Sequence, residues 1–251
     1  MESTERRVSL FLPCLADMFY PRIGTDTVRI LKRAGFAVSY PRRQTCCGQP
    51  AMNVGLAGAA RAMARRFIRV FESAPVVVCP SGSCVLTVRQ HYPELFRDEP
   101  GWRQRARALG EKTFELTDFL VNRAGAVDLK ARYEARATLH DSCHPLRGLG
   151  LKDEPRRLLA QVEGLELVEM PEAEVCCGFG GSFMARFGEL SAAMAHQKID
   201  QAAATGAEVL ILTEPGCLLN VDSALRSRRR ETLRAVHLTE ILAGGWEEGR
   251  V

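Results

Sequence analysis

Long apolar runs and a strong charge of one sign are both missing from this sequence of 251 residues. No stretch reaches the roughly 18 apolar residues that a membrane-spanning helix needs, and the apolar run at residues 8–13 is only as long as a strand. The net charge is only +4, with acidic and basic residues interspersed. We therefore expect a cytoplasmic protein with no membrane span and no nucleic-acid partner, and we interpret the basic run at residues 226–230 as a solvated helix face.

A fingerprint for binding a flavin or a nicotinamide cofactor is also absent from the sequence. The glycine-rich segment Gly178-Phe-Gly-Gly181 resembles a phosphate-binding loop only superficially, and we favour close packing of its backbone over nucleotide binding. If the protein takes part in an oxidation by hydride removal, we therefore expect a partner to supply that step.

Cysteine, in contrast, is plentiful, and eight of the nine cysteines form two matching sets. In each set a single cysteine comes before a Cys-Cys-Gly motif, with 31 or 32 residues between them. Another cysteine follows the pair, with 36 or 39 residues between them. The repeated spacing predicts two homologous lobes, which we place at residues 1–125 and 126–251. The first set contains Cys14, Cys46, Cys47 and Cys84, and the second contains Cys143, Cys176, Cys177 and Cys217.

Strand-sized apolar runs alternate with helical patterns in both lobes. The first lobe has such runs at residues 8–13, 36–40 and 76–78, and the second lobe repeats the order and ends with a strand and helix at residues 236–242. The apolar residues of the segment 102–124, before the second lobe, have helical spacing, which predicts a helix there. The alternation predicts an α/β fold of two Rossmann-like lobes with mostly parallel sheets.

The spacing of the cysteines follows from this fold. One strand–helix–strand unit takes about 30 residues, so cysteines separated by one unit lie just beyond the same edge of neighbouring parallel strands. This carboxyl edge is where open α/β sheets place their ligands. We therefore expect the four cysteines of each set to converge there.

Four thiolates on three loops fit the ligation of an iron–sulfur cluster. The glycines that follow the Cys-Cys pairs, Gly48 and Gly178, allow the sharp turn that aims both thiols at one cofactor. Structural zinc is a rival, although its ligands are usually more closely spaced, and vicinal disulfides or plain buried cysteines are others. Because the cytosol keeps ordinary thiols reduced, nine cysteines favour metal or redox chemistry. Cys79, in an apolar strand, is interpreted as a buried non-ligand.

The repeated frame resembles the cysteine-rich CCG domain found in heterodisulfide reductase and in the glycolate oxidase iron–sulfur subunit. Within that group the chain is most similar to the lactate utilization protein A family. This resemblance implies an iron–sulfur component that oxidises L-lactate to pyruvate together with a ferredoxin-type iron–sulfur protein and a third small subunit. The motifs that carry it are Phe11-Leu-Pro-Cys14, Cys46-Cys-Gly-Gln-Pro50, Pro80-Ser-Gly-Ser-Cys84, His140-Asp-Ser-Cys-His144 and Cys176-Cys-Gly-Phe-Gly-Gly181.

One departure from the related reductase concerns the type of cluster. There each motif ends in Cys-x-x-Cys and five cysteines hold a noncubane cluster, whereas here the endings are Ser81-Gly-Ser-Cys84 and Glu214-Pro-Gly-Cys217. The loss of one thiolate per lobe favours an ordinary [4Fe-4S] cluster, one or two per chain.

Polar residues surround the first cysteine of the second set. His140, Asp141, His144 and Arg147 are candidates for binding a substrate carboxylate or moving protons, although they are also suited to hydrogen-bond a cluster and tune its potential. Asp17 and Arg186 are weaker candidates that we interpret as structural.

The sequence therefore predicts an electron-transferring iron–sulfur subunit, an oxidoreductase component that needs its partners. The family resemblance implies a small 2-hydroxy acid as the substrate of the complex. A thiol–disulfide oxidoreductase and a structural zinc-binding scaffold are the alternatives that remain.

Overall fold

The computed structural model of the protein describes residues 6–228 and 232–245. Part of the basic run at 226–230 therefore lies outside the described residues, and its interpretation as a solvated face stays a prediction. No helix within the described ranges is long and apolar enough to cross a membrane. The division between residues 125 and 126 also stays a prediction, and we keep it to name the two lobes.

The first lobe is built on a parallel four-stranded sheet in the order β2-β1-β3-β4. In its centre Val8 pairs with Val38 of the neighbouring strand, and Leu10 pairs with Val78 on the other side. Its elements are β1 (Arg7–Leu10), α1 (Cys14–Phe19), α2 (Arg22–Arg33), β2 (Ala37–Ser39), α3 (Gln49–Asn53), α4 (Ala57–Phe71), β3 (Val77–Cys79), α5 (Gly82–Leu86), α6 (Tyr92–Leu95), α7 (Pro100–Glu111), β4 (Thr113–Glu115) and α8 (Leu116–Asp118), with π-helical turns at Thr87–His91 and Phe119–Arg123.

The second lobe repeats this plan with a parallel sheet in the order β6-β5-β7-β8. The pairing of His140 with Leu212 ends the central strands in register, and Leu212 pairs with His237 of the last strand. Its elements are β5 (Arg132–His140), a π-helical turn (His144–Gly148), α9 (Asp153–Leu159), β6 (Glu163–Leu167), α10 (Ser182–Arg186), α11 (Gly188–Ala204), β7 (Val209–Leu212), α12 (Pro215–Arg228), β8 (Arg234–His237) and α13 (Leu238–Leu242).

The expected α/β class with two matching parallel sheets is confirmed, but the helix predicted over residues 102–124 is wrong in its middle. That helix stops at Glu111, and β4 pairs in parallel with β3 at the edge of the first sheet. Thr113 and Glu115 are buried there, and the hydroxyl of Thr113 donates to the carbonyl of Leu109 at 2.7 Å. The gain from extending the sheet outweighs the helical spacing of the flanking apolar residues.

The helices bury one apolar stripe each against the sheets. In α4, for example, Ala60, Ala64, Phe67, Ile68 and Phe71 are buried and share one face. One core cluster joins the lobes, because Ile30 and Leu31 of the first pack in the same cluster as Ile241 and Leu242 of the second. This shared core fixes the carboxyl edges of the two sheets relative to each other.

Candidate metal centres

The first cysteine set converges beyond the carboxyl edge of the first sheet. Cys14 follows β1 and begins α1, Cys46 and Cys47 lie in the loop after β2, and Cys84 lies in α5 after β3. Their thiols form a continuous chain of contacts, from Cys14 to Cys46, to Cys47 and then to Cys84, whose sulfur lies 3.6 Å from that of Cys47. The convergence expected from the spacing is therefore present.

The second set is arranged in the same way at the edge of the second sheet. The thiol of Cys143 contacts Cys176, Cys176 contacts Cys177, and the sulfurs of Cys177 and Cys217 lie 2.9 Å apart. In both sets the last two thiols are buried and the first two are half-buried. Each site thus has an enclosed side and an accessible side.

Glycine makes the turn after each Cys-Cys pair possible. Gly48 and Gly178 have φ angles of +87° and +85°, a backbone conformation that residues with a side chain rarely adopt. Their backbone N–H groups donate to the sulfurs of Cys46 and Cys176, both at 3.4 Å. A Cβ atom on Gly178 would lie 2.7 Å from the carbonyl oxygen of Ser191. These glycines shape the loop around a cofactor through their backbone alone.

Contacts among the thiols lower the pKa of the second cysteine of each set. A hydrogen bond with Cys14, and then one with Cys47, lowers the pKa of Cys46 to about 3. Hydrogen bonds with Cys143 and Cys177 lower the pKa of Cys176 to about 2. The same contacts and burial raise the pKa of the first and third thiols, Cys14 and Cys47 in one set and Cys143 and Cys177 in the other. Each site thus favours a thiolate at its Cys-Cys pair, and the thiolate is the form that binds metals.

Cys79 lies close to the first set without joining its loops. It is fully buried at the end of β3, its thiol donates to the carbonyl of Ser81 at 3.6 Å, and it also contacts the thiol of Cys84. Burial raises its pKa. Its role as a non-ligand stays a prediction.

Two of the four polar candidates near the second set are held by structural partners. Arg156 donates two hydrogen bonds to the carboxylate of Asp141, at 2.8 and 2.9 Å, and also contacts Glu169. Arg147 donates to the carbonyl of Glu174 at 3.2 Å. These contacts anchor the loops before and after Cys143.

The two histidine candidates, in contrast, face the thiols. Nδ1 of His144 lies 3.6 Å from the sulfur of Cys143, and its Nε2 lies 3.4 Å from the side-chain nitrogen of Gln49 in the other lobe. His140 is buried, and its ring and the sulfurs of Cys177 and Cys217 form a group whose ligand atoms all lie within 4.8 Å of one another. Imidazole and thiolate are the ligand types that iron and zinc take in proteins, so these residues fit a metal site.

The weaker candidates lie farther out. Asp17 lines a cavity of about 630 Å³ together with Leu12, Lys32 and Tyr40. The guanidinium of Arg186 lies 5.9 Å from the ring centre of the exposed Phe187. Their structural interpretation stays a prediction.

Glu214 is the residue at these sites that the sequence did not single out for a role. It is buried between the lobes and accepts hydrogen bonds from the backbone N–H of Ser83 at 2.7 Å and from the hydroxyls of Ser81 and Ser83 at 2.8 and 3.0 Å. Burial raises its pKa to about 8. The sequence did carry a signal for this residue, because Ser81 and Glu214 occupy the two positions at which the related reductase has the first cysteine of each Cys-x-x-Cys ending.

Comparison with known proteins gives a family match, curated relatives and a similar structure. The cysteine-rich domain family CCG matches residues 8–89 and 137–222. The chain is 43% identical to "Lactate utilization protein A 2" of Bacillus cereus (strain 03BB102) over 95% of this chain and 98% of that protein. It is 44% identical to "Lactate utilization protein A" of Bacillus subtilis (strain 168) over 94% and 98%.

A crystal structure of a hypothetical protein from Helicobacter pylori has a similar fold. The TM-score is 0.69 at 11% identity, over 97% of this chain and 50% of that one. This likeness concerns the fold alone.

Proposed function

Because the chain belongs to the lactate utilization protein A family, with two CCG cysteine-rich domains, we propose that it is an iron–sulfur electron-transfer component of a multi-protein system that oxidises L-lactate to pyruvate in the cytoplasm. The observation that carries the proposal is the convergence of four thiols, from three loops, at the edge of each sheet. Each set would hold one [4Fe-4S] cluster, giving two per chain. When bound, such a cluster accepts and releases single electrons.

The two sets of four cysteines would supply the cluster ligands. The backbone N–H groups of Gly48 and Gly178 donate to ligand sulfurs, and such hydrogen bonds stabilise negative charge on the thiolates. The buried pair of each set would exclude water from one side of the cluster, and the half-buried pair would leave the other side near the surface. This arrangement suits electron exchange with a partner protein.

The oxidation of L-lactate to pyruvate releases two electrons and two protons, so a system of several proteins has to take them up. The sequence carries no flavin or nicotinamide fingerprint, and we assign removal of the hydride equivalent to the complex rather than to this chain alone. A ferredoxin-type iron–sulfur protein and a third small subunit are the proposed partners.

The contact between Ser81 and Glu214 disfavours the disulfide reductase alternative. In the related heterodisulfide reductase, the residues at these two positions are cysteines of a noncubane cluster. Here a hydroxyl and a carboxylate occupy them and bind each other at 2.8 Å. A five-thiolate cluster therefore lacks a ligand in both lobes.

Metal and sulfide analysis after anaerobic purification tests the cofactor. We expect about eight iron and eight sulfide per chain, and an EPR signal on reduction with dithionite. Cys46→Ser and Cys176→Ser should each remove about half of the iron, whereas Cys79→Ser, a change at a buried cysteine outside the sets, should remove none. Zinc without sulfide would select the structural scaffold and refute the redox role.

Lactate-dependent reduction tests the activity. With the partner proteins present, L-lactate should produce the same EPR signal as dithionite, and the isolated chain with L-lactate should not. Reduction by glycolate but not lactate would change the substrate within the 2-hydroxy acids. Reaction with a disulfide, and none with either acid, would refute the proposal.

A further inference from the structure

The two cysteine sites differ at one position of the repeat. His140 lies three residues before Cys143, and the matching position before Cys14 is Phe11. Phe11 packs edge-on against Phe67, with ring centres 4.6 Å apart, and has no atom that binds a metal. The second site therefore has a nitrogen where the first has only a hydrocarbon ring.

The hydrogen bonding of His140 determines which nitrogen carries the proton. Nδ1 lies 2.8 Å from the backbone carbonyl oxygen of Ala173. A carbonyl oxygen only accepts hydrogen bonds, so Nδ1 is the donor, and a neutral ring then presents a lone pair at Nε2.

That lone pair is enclosed and points toward thiols. His140 is only 1% exposed, and its Nε2 has no nitrogen or oxygen partner within residues 6–228 and 232–245, while the ring contacts the thiol of Cys217. One ring nitrogen of His140 belongs to the compact group with the sulfurs of Cys177 and Cys217, within 4.8 Å, and because Nδ1 is engaged by Ala173 we assign Nε2 to that group. A buried polar atom without a partner is rare in proteins and calls for an explanation such as a bound ion.

We propose that Nε2 of His140 is a metal ligand at the second site in place of one of its four thiolates, so that the two sites of the chain have different ligand sets. A backbone carbonyl that accepts from the other ring nitrogen is the usual support of a metal-bound histidine, since it fixes the tautomer and the orientation of the ring. The first site, with Phe11, is ligated by thiolates alone.

This inference rests on the proposed function for the identity of the metal, which would be an iron of the second cluster. A neutral imidazole in place of a thiolate raises the reduction potential of an iron–sulfur centre. The second site is therefore the one that is reduced first, and electrons that enter at the first site would move toward it.

Pulsed EPR on the reduced holoprotein tests the ligand directly. We expect hyperfine coupling to a directly bound imidazole nitrogen, and we expect it to change to the ¹⁵N pattern when the chain is made with ¹⁵N-labelled histidine. The coupling should be absent in His140→Phe, which copies the first site, and in His140→Gln. It should persist in His144→Gln, which alters the other ring beside the thiols. The labelling experiment needs no variant and so does not depend on how the variants fold.

Absence of histidine coupling in the wild-type protein, or its persistence in His140→Phe, would overturn the assignment. A lower midpoint potential in His140→Phe, together with no nitrogen coupling in the wild type, would also overturn the assignment. His140 would then act on the second site through a hydrogen bond and not as a ligand. Iron and sulfide content separates this failure from failure of the proposed function. If zinc replaces iron, the cluster is refuted, and X-ray absorption at the zinc edge still decides the ligand, with one nitrogen among the sulfurs upholding His140.

Discussion

The hydroxyl of Ser81 donates to the carboxylate of Glu214 across the lobe interface at 2.8 Å, although 133 positions separate the two residues in the sequence. Each residue lies three positions before the last cysteine of its set. The bond therefore links the loop that carries Cys84 to the loop that carries Cys217. The second oxygen of Glu214 accepts from the backbone N–H of Ser83, so this one side chain binds two residues of the other lobe.

Ser81→Ala should weaken this link. The change leaves a buried oxygen of Glu214 with one hydrogen bond fewer, and we expect the free energy of unfolding to fall by about 1–3 kcal/mol, because a buried acceptor that loses its partner keeps its desolvation penalty. Thermal unfolding followed by circular dichroism under nitrogen measures it. Ser227→Ala, at an exposed α12 hydroxyl that donates to the carbonyl of Ala224, is the control and should change stability little. Equal effects from both substitutions would argue against a special role for the interface.

Gly82 is a second point where the lobes approach closely. A Cβ atom there would lie 2.6 Å from Cγ of Pro145, just after Cys143. Gly82→Ala should therefore push the segments that carry Cys84 and Cys143 apart, lower the unfolding temperature and reduce the iron bound per chain. Overpacking of this kind typically costs about 1–3 kcal/mol.

Gly58→Ala is the control for that change. Gly58 lies in α4, and a Cβ atom there would meet nothing within 4 Å. Alanine should stabilise this helix by roughly 0.5–1 kcal/mol and leave the iron content unchanged. Unchanged iron content and stability in Gly82→Ala would contradict the close contact.

Local patterns were enough to predict much of the fold. The apolar run at residues 76–78 overlaps β3, and the repeated cysteine spacing correctly placed the thiols at the carboxyl edges of the sheets. Both features depend on the period of a strand or on the length of one repeat unit, and these are properties of a continuous segment. The predicted roles of the thiols in binding a metal remain open to the experiments above.

Contacts between the lobes were beyond such patterns. The pairing of Ser81 with Glu214 depends on how the two repeats pack, and nothing in either loop indicates its partner. The ring orientation of His140 depends on the carbonyl of Ala173, in a loop 33 positions away. Likewise, Thr113 joins the sheet because β3 offers a free edge, which the apolar spacing of its own segment does not reveal.

Asp141 provides a test of structural against catalytic roles at the second site. Its buried carboxylate is paired with Arg156, so Arg156→Met would leave a buried charge without its partner. We expect a loss of about 3–5 kcal/mol in the free energy of unfolding. Arg157→Met, at the neighbouring position, is the control. If Arg156→Met instead kept its stability and lost lactate-dependent reduction, Asp141 would belong to the catalytic group.

Glu115 should make stability depend on pH. Its buried carboxylate accepts hydrogen bonds from the backbone N–H groups of Thr117 and Asp118 at 2.6 and 3.2 Å, yet burial raises its pKa from 4.5 to about 7. Between these two values the folded chain binds more protons at this site than the unfolded chain. The contribution of Glu115 to the free energy of unfolding is therefore fully present below about pH 4.5 and is lost as the pH rises through 7. The total loss is about 3 kcal/mol.

Glu115→Gln should flatten this dependence, because an amide does not titrate in the range. Unfolding temperatures measured under nitrogen at pH 5.5 and 8 should differ less in the variant than in the wild type. Glu111→Gln, at an exposed position at the end of α7, should keep the wild-type difference. If the stability of the wild type changed between pH 5.5 and 8 by the same amount as that of Glu115→Gln, the carboxyl would be ionised throughout this range. Its three hydrogen bonds would then outweigh the cost of burying the charge.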